Sequence, residues 1–271
     1  MPALDRAADL ALLIDAVTEA GALAARYAGP TPVLHEKPGG QGPVTEADLA
    51  VDRLLHQRLT AARPDYGWLS EETLDGPERL VRSRVFIIDP IDGTRAFAEG
   101  QDSWAHSLAI AEKGEVIAAA IFLPLKSMLY TAEKGGGAKL NGKQIQPSDC
   151  AEFSQARVLG ARAKYEPQHW RGAVPGVARH YRPSLAWRLS LVAEGAFDAM
   201  LTLRPSWEWD IAAGALILSE AGARVTDRRG NPLIFNNSHP QLNGVLAAGP
   251  RLHAALLSEL RPDEMAPRLK G

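Results

Sequence analysis

The sequence predicts a mixed fold of the α+β and α/β classes, in which an antiparallel sheet is followed by alternating strands and helices. Short apolar strands joined by tight turns occupy the first half, at residues 85–88, 107–111, 116–122 and 128–132. After about residue 150 helical segments are interleaved with strands, at 157–160, 196–203, 223–226 and 244–248. This change predicts two subdomains, 1–150 and 151–271, that share one cleft within a single unit of residues 1–271.

Apolar residues at helical spacing predict the helices. They cover residues 4–27, 45–63, 184–195, 208–221 and 250–260. Thr45 and Asp48 form a capping-box pattern at the start of the second helix, and Gly222 is placed to end the fourth. A short extended piece at 31–37 leads into the glycine-rich segment 38–43, which we predict to be a flap.

The composition is that of a globular enzyme. The 271 residues are 46% hydrophobic and 23% charged, with a net charge of −2 and a pI near 6.4. Because there is no basic stripe, we expect a small-molecule substrate and no nucleic-acid polymer as partner. No stretch reaches the ~18 apolar residues of a membrane span, and acidic residues interrupt the N-terminal helix. We therefore expect a cytoplasmic protein without membrane contact.

Two acidic residues, Asp89 and Asp92, follow the buried strand 85–88 and flank Pro90. An apolar strand that ends in two acids presents them at the edge of a sheet, where loops build sites. Two carboxylates held this close repel each other unless a cation lies between them. Oxygen ligands suit a hard divalent ion such as Mg²⁺. A plain turn is the structural alternative, since Asp, Pro and Gly are common turn residues.

Gly93 and Thr94 come next, before a predicted helical turn. A glycine at this point lets backbone N–H groups approach a phosphate, and the start of a helix favours its negative charge. Metal ligands and a phosphate site are therefore predicted side by side.

Three further acids are weaker signals when each is taken alone. Glu71 follows an apolar piece and could belong to a solvated loop. Asp210 opens a predicted helix, where an acid also favours the helix dipole. Asp48 could act only as the partner of the Thr45 cap. Each of these residues thus has a structural alternative.

Together, these segments resemble the inositol monophosphatase superfamily in order and spacing. The resemblance is carried by Val44-Thr45-Glu46-Ala47-Asp48, Trp68-Leu69-Ser70-Glu71-Glu72, Asp89-Pro90-Ile91-Asp92-Gly93-Thr94 and Trp209-Asp210-Ile211-Ala212-Ala213-Gly214. It covers about residues 4–260 and implies a layered α-β-α-β-α sandwich, a magnesium-dependent phosphatase and, since members are often dimers, a homodimer. A phospho-aspartate mechanism of the haloacid-dehalogenase type is disfavoured, because its nucleophile loop spaces the two acids two apart rather than three.

The resemblance also implies roles for individual residues. Glu71, Asp89 and the Ile91 carbonyl look like ligands of a first Mg²⁺, and Asp89, Asp92 and Asp210 like ligands of a second. Thr94, oriented by Asp48, resembles the residue that positions the attacking water, and Glu71 shares this catalytic role through the first ion. The predicted substrate contacts are Gly93, Thr94, Arg95, Ser184, Arg204 and Asp210. Lys37, beside the flap, resembles a residue near a weaker third metal, or could be a plain surface lysine.

The chain departs from the inositol-specific pattern at two places. Leu203 stands where those enzymes typically carry a sugar-binding Glu, seven residues before Asp210, and Pro183-Ser184-Leu185 replaces a Gly-Ser/Thr-Ala stretch. Arg204 and Trp207 better suit a second phosphate and a base, although Trp207 could also be packing. The block around Asp210 is similar to bacterial 3′(2′),5′-bisphosphate nucleotidases of sulfate assimilation.

We therefore predict hydrolysis of 3′-phosphoadenosine 5′-phosphate to AMP and phosphate by direct water attack, with Arg204 as the contact to the 5′-phosphate. Arg162 and Lys164 are alternative contacts. Inositol 1-phosphate or a related sugar phosphate is the alternative substrate. A protein of this fold that binds or regulates without catalysis is the alternative class.

Overall fold

A computed structural model of the protein describes residues 3–27, 29, 33–36 and 42–261. Within these residues the helices are α1 Ala3–Ala24, α2 Glu46–Ala62, α3 Thr94–Ala98, α4 Leu185–Ala193, α5 Glu208–Glu220 and α6 Pro250–Glu259. The strands of the first half are β1 Val33–Glu36, β2 Pro43–Thr45, β3 Gly67–Ser70, β4 Arg84–Asp92, β5 Ala105–Glu112, β6 Glu115–Leu123, β7 Met128–Glu133, β8 Gly137–Leu140 and β9 Lys143–Gln144. Those of the second half are β10 Arg157–Leu159, β11 Ala178–His180, β12 Ala199–Thr202, β13 Ser206–Trp207, β14 Arg224–Thr226, β15 Gln241–Leu242 and β16 Val245–Ala248.

The larger sheet is the predicted meander. Its seven strands lie in chain order from β3 to β9, and every neighbouring pair is antiparallel except β3 with β4. Strand β4 is longer than predicted, since Asp89 still pairs with Ser107 and Asp92 with Ala105. The register shifts between these two pairs, where Pro90 has no N–H to give to the ladder. The acids therefore lie on an irregular strand end rather than in a free turn.

The second sheet has five strands in the order β11-β10-β12-β16-β14. Strand β10 is parallel to both of its neighbours, whereas β16 is antiparallel to β12 and β14. The alternation of strands and helices predicted after residue 150 is confirmed. Two small sheets, β1–β2 and β13–β15, complete the topology. The proposed subdomain boundary near residue 150 stays a prediction.

Alternating side chains on the strands separate the core into layers. Phe86 and Ile88 of β4 pack with α1 and α2, whereas Val85 and Ile87 of the same strand pack with α4 and α5. Met200 of β12 belongs to this second core, whereas Ala199 and Leu201 on the opposite face of the five-stranded sheet pack with α6. The order is helices, sheet, helices, sheet, helix, which confirms the predicted sandwich.

No helix among the described residues is both long and apolar enough to cross a membrane. The predicted cytoplasmic location and homodimer stay predictions. Residues 37–41, with Lys37 and most of the predicted flap, lie outside the described residues, so the third-metal role of Lys37 also stays a prediction.

A buried ionic cluster joins α1 to the base of β4, the strand that carries Asp89. The Asp9 side chain is fully buried and accepts hydrogen bonds from Arg84 at 2.7 Å, Arg63 at 2.9 Å and the Tyr66 hydroxyl at 3.0 Å. Arg84, only 3% exposed, also donates to Glu112 at 3.0 Å. Burying such a pair is tolerable only because every charge has partners.

We expect Asp9→Asn to lower the free energy of unfolding by about 3–5 kcal/mol, because it removes the fully buried counter-charge of Arg84 and leaves only the partly exposed Glu112. Urea unfolding followed by circular dichroism measures this loss. The control is Glu19→Gln, which removes the partner of Arg58 in a pair whose side chains are 42% and 49% exposed and should cost less than about 1 kcal/mol. Equal small losses in both variants would contradict a structural role for the cluster.

Candidate active site

Most of the predicted site residues line one cavity of about 430 Å³ at the end of β4. They are Glu71, Asp89, Ile91, Asp92, Gly93, Thr94, Arg95, Arg204 and Asp210. Asp48 and Ser184 are fully buried and support residues of this wall from behind. The cavity therefore brings together residues that are up to about 140 positions apart in the chain.

Three carboxylates converge in this cavity. Glu71, Asp89 and Asp210 each place one oxygen within 4.8 Å of the other two. Strand pairing positions the first two: β3 is parallel to β4, and the backbone N–H of Glu71 donates to the Ile88 carbonyl at 3.2 Å. Asp210 comes from the first turn of α5, which the Ser107 hydroxyl fastens to β5 by donating to the Trp209 carbonyl at 3.0 Å.

Asp92 lies beside this group and faces the start of α4. Its Oδ2 accepts hydrogen bonds from the Ser184 hydroxyl at 2.7 Å and the Ala186 backbone N–H at 2.5 Å. Ser184 is also the N-cap of α4 and accepts from the Trp187 N–H at 3.0 Å. Burial raises the pKa of Asp92, and these hydrogen bonds together with the charge of Arg188 oppose that rise.

Asp210 has the strongest electrostatic conflict in the site. Desolvation raises its pKa well above the ordinary value, the negative charges of Asp92 and Glu71 raise it further, and Arg204 and Arg188 only partly oppose this. A divalent cation would remove the conflict by taking the place of the missing positive charge. The donors are all oxygens, a set that fits Mg²⁺ better than a softer metal.

Asp48 and Thr94 are in direct contact, as predicted. The Thr94 hydroxyl lies 3.1 Å from Asp48 Oδ1 and 3.0 Å from the Ile91 carbonyl, both of which can accept its hydrogen. The second oxygen of Asp48 accepts from the backbone N–H of Thr45 at 2.8 Å and completes the capping box of α2. Asp48 thus has both the capping role and the Thr94 contact, one on each carboxylate oxygen.

Gly93 connects β4 to α3 at a backbone φ of +101°, a conformation that favours glycine. This turn places Thr94 and Arg95 at the start of α3 on the cavity wall. Any side chain at position 93 would be strained there, although the space around it is adequate. The glycine is therefore required by the backbone path between the acids and Thr94.

The residues predicted to select the substrate separate into two groups. Arg204 is exposed and lines the cavity, whereas Trp207 stacks on Trp209 with ring centroids 4.8 Å apart and an angle of 7°. Of the two readings of Trp207, packing is the one the structure supports. Arg162 lines a different groove. Burial lowers the pKa of Lys164, and the positive charge of nearby Arg204 lowers it further. Leu203 is buried, so no polar side chain reaches the cavity from that position.

Ser184 was predicted as a substrate contact, but its hydroxyl donates to Asp92 and it does not line the cavity. Sequence reasoning missed three cavity residues that carry polar groups: Glu99, Gln101 and Tyr181. Gln101 donates to Glu99 at 2.7 Å, and Tyr181 packs under the Arg188 guanidinium at 4.9 Å. Glu99 and Gln101 come directly after α3. Their closeness to Asp92 in the sequence was the one signal that could have placed them near the site.

A sequence model described as the inositol monophosphatase family matches residues 5–264. An inositol-1-monophosphatase of Rhizobium meliloti is 36% identical over 243 residues, which cover 83% of this chain and 87% of that protein. The Nus factor SuhB of Escherichia coli K12 is 29% identical, with 96% of this chain and 98% of that protein covered. Among solved structures, an IMPase of Thermotoga maritima superposes with a TM-score of 0.80 at 28% identity, over 92% of this chain and 95% of that one.

Proposed function

Because the chain belongs to the inositol monophosphatase family, we propose that it uses Mg²⁺ to hydrolyse inositol 1-phosphate or a related sugar phosphate. The observation that carries this proposal is the convergence of Glu71, Asp89 and Asp210 within 4.8 Å, on the wall of a cavity that also contains Thr94. Membership of the family makes the chain a phosphoric monoester hydrolase; the choice of substrate is our proposal. Two curated relatives carrying the name inositol-1-monophosphatase, at 36% and 30% identity, favour inositol phosphate over a nucleotide.

The proposed metal ligands are the carboxylates of Glu71, Asp89, Asp92 and Asp210 and the carbonyl of Ile91. When bound, Mg²⁺ lowers the pKa of a water and neutralises charge on the phosphate and the leaving oxygen. The Ile91 carbonyl, 3.0 Å from the Thr94 hydroxyl, has two lone pairs, so it keeps one for an ion even when that hydroxyl donates to it rather than to Asp48. Asp92 retains Oδ1 for the same purpose, because the described bonds to Ser184 and Ala186 engage Oδ2.

Asp48 and Thr94 form the proposed relay for the attacking water. With its own hydrogen donated to Asp48, the Thr94 oxygen can accept a hydrogen bond from a water in the cavity. This contact orients the water, and Asp48 can take up the proton through Thr94 as the bond between the water oxygen and phosphorus forms. The bond between phosphorus and the ester oxygen breaks, and the leaving alkoxide takes a proton from solvent. No covalent intermediate is required, so the water attacks the phosphate directly.

The cavity offers hydroxyl-binding groups despite the leucine at position 203. Glu99, Gln101 and Tyr181 are among its lining residues and offer hydrogen-bond acceptors and donors. A polyol would pair its hydroxyls with these groups, and a site built in this way discriminates strongly against analogues that lack them.

A 3′(2′),5′-bisphosphate nucleotide is the second candidate substrate, and Arg204 is the observation that favours it. Its guanidinium lines the cavity, and its positive charge opposes the raised pKa of Asp210. An arginine in this place can hold a phosphate that the metal ions do not touch. The predicted role in sulfate assimilation applies only if this nucleotide is the substrate.

We expect Arg204→Ala to raise KM for 3′-phosphoadenosine 5′-phosphate about tenfold or more, since a charge-assisted hydrogen bond contributes ~1.5–3 kcal/mol. KM for inositol 1-phosphate should change little, because that substrate has no second phosphate. Steady-state kinetics on both substrates measure the difference within one variant. Arg162→Ala, in a separate groove, is the matched control. Equal losses on both substrates would contradict this role of Arg204.

Phosphate release from inositol 1-phosphate, fructose 1,6-bisphosphate and 3′-phosphoadenosine 5′-phosphate, with and without Mg²⁺, tests the proposed function. The highest kcat/KM on inositol 1-phosphate supports the main proposal, and the highest value on the nucleotide supports the second candidate. No metal-dependent release from any of them would favour the non-catalytic alternative. The relatives called Nus factor SuhB make that alternative worth testing.

A further inference from the structure

The three converging carboxylates are held by two different kinds of structure. Glu71 and Asp89 lie on neighbouring strands, so the hydrogen-bonded ladder of β3 and β4 fixes their separation. Asp210 lies on α5, which is not part of the strand ladder and is joined to the sheet by side-chain packing and by the hydrogen bond from Ser107 to the Trp209 carbonyl. Its distance from Glu71 therefore depends on contacts that join the first turn of α5 to the segment after β3.

Glu208, the first residue of α5, makes such contacts and is fully buried. Its Oε2 accepts the backbone N–H of Asn236 at 2.6 Å. Its Oε1 accepts the backbone N–H of Asn237 at 2.9 Å and the Asn237 side-chain amide at 2.7 Å. Three donors from one short loop thus hold the start of α5, two residues before Asp210.

Arg79 holds the same loop from the other side and is only 3% exposed. It donates to the Asn236 side-chain oxygen at 2.6 Å and to the Asn237 carbonyl at 2.8 Å. Its remaining N–H groups form a two-point contact with Asp75 at 2.6 and 2.7 Å. Asp75 follows Glu71 by four residues, so Arg79 links the Glu71 segment to the loop.

The loop itself is built for this link. Asn236 has a backbone φ of +63°, which non-glycine residues adopt rarely and asparagine more readily than most. This conformation lets its N–H meet Glu208 while its side chain meets Arg79. The chain of contacts from Asp75 through Arg79, Asn236 and Asn237 to Glu208 is continuous, and we call it the Arg79–Glu208 bridge.

We infer that Arg79 and Glu208 are positioning residues that set the distance between Glu71 and Asp210 for metal binding. The inference rests on the proposed function, because it assumes that these carboxylates hold Mg²⁺. Neither Arg79 nor Glu208 lines the cavity, so both act through the acids that do. Partners that hydrogen-bond metal ligands typically change metal affinity by about 10–100-fold when altered, and we expect the lower end of this range for residues that act through the backbone next to the ligands.

A calorimetric titration of the full chain with Mg²⁺ tests the bridge directly. Glu208→Gln keeps the size of the side chain but turns one acceptor into a donor that faces a backbone N–H of the loop. We expect the Kd for Mg²⁺ to rise at least tenfold and the stabilisation by a fixed Mg²⁺ concentration to shrink in thermal melts. At saturating Mg²⁺, kcat should recover to within about threefold of the wild-type value.

The matched control is Asp198→Asn. Asp198 is 5% exposed and accepts hydrogen bonds from the backbone N–H and the side chain of Arg157 at 2.7 and 3.2 Å. It lies just before β12, whereas Arg204, which lines the cavity, lies after the other end of that strand. The Asp198→Asn variant should therefore have a lower Tm but an unchanged Kd for Mg²⁺. Arg79→Lys keeps the charge but not the two-point contact with Asp75, so we expect it to weaken Mg²⁺ binding in the same direction.

The outcomes separate the inference from the function on which it rests. A wild-type chain that binds no Mg²⁺ would overturn the proposed function. Wild-type binding with an unchanged Kd in Glu208→Gln, alongside a lower Tm like that of Asp198→Asn, would overturn the positioning role alone. If Glu208→Gln does not fold, Asn237→Ala replaces it. That variant removes one donor to Glu208, and a Kd within the error of wild type would again overturn the inference.

Discussion

Asp89→Asn is expected to reduce phosphatase activity by about a thousandfold or more at saturating Mg²⁺. The resemblance assigns Asp89 to both metal ions, and the structure places its side chain in the converging carboxylate group with only 1% exposure. Charge stabilisation by bound metal contributes several kcal/mol to phosphate chemistry, and each ~1.4 kcal/mol corresponds to a factor of ten in rate. Steady-state kinetics over a range of Mg²⁺ concentrations measure the loss.

The same change should stabilise the protein without metal. A neutral amide at position 89 removes one of the charges that repel one another in this group, so Tm in the presence of a chelator should rise while the increase caused by Mg²⁺ largely disappears. Glu72→Gln is the control, because Glu72 neighbours Glu71 but does not line the cavity. Wild-type activity in Asp89→Asn at saturating Mg²⁺ would show that the site is assigned wrongly.

The residues of the candidate site were largely predictable because their signals are local. Asp89 and Asp92 follow an apolar strand, and Asp210 lies in the first turn of an apolar helical segment, so each pattern can be recognised within a few positions. That these acids converge at one site was predicted from the family resemblance and not from the local sequence patterns. The strand continuing through Pro90 to Asp92 could not be predicted, since it depends on pairing with β5, whose residues lie more than a dozen positions away.

The features that could not be predicted from the sequence depend on contacts between residues that are far apart in the chain. Trp207 was read as either a base-stacking residue or packing, and only the position of Trp209 decides between these. Ser184 was predicted from its place in a motif, but the hydroxyl is engaged by Asp92, which lies 92 positions earlier. Arg79 and Asn236 are 157 positions apart, and no periodicity relates them. Composition and spacing contain no information about such pairs.

Asp48→Asn is the second change with a large expected effect. Asparagine keeps the shape of the side chain and can still meet Thr94, but it cannot take up a proton. We expect kcat to fall by about 10²-fold or more, which is the usual contribution of a general base, and KM to change little, because Asp48 is buried behind Thr94 and does not line the cavity. Kinetics on the best substrate of the panel, with thermal melts of the same samples, measure both quantities.

Thr45→Ala separates the catalytic role of Asp48 from its role in the capping box. It removes the hydroxyl that accepts the Asp48 backbone N–H and that donates to Asp48 Oδ2. The 3.1 Å contact between Thr94 and the other carboxylate oxygen, Asp48 Oδ1, stays in place. Loss of a helix cap costs about 1 kcal/mol, so this variant should melt earlier and keep kcat within a few-fold of the wild-type value. If Asp48→Asn also loses stability but keeps its kcat, Asp48 only caps α2, and the proton acceptor has to be sought among the other groups near Thr94. A fall in kcat confined to Asp48→Asn assigns the acceptor to the carboxylate that contacts Thr94.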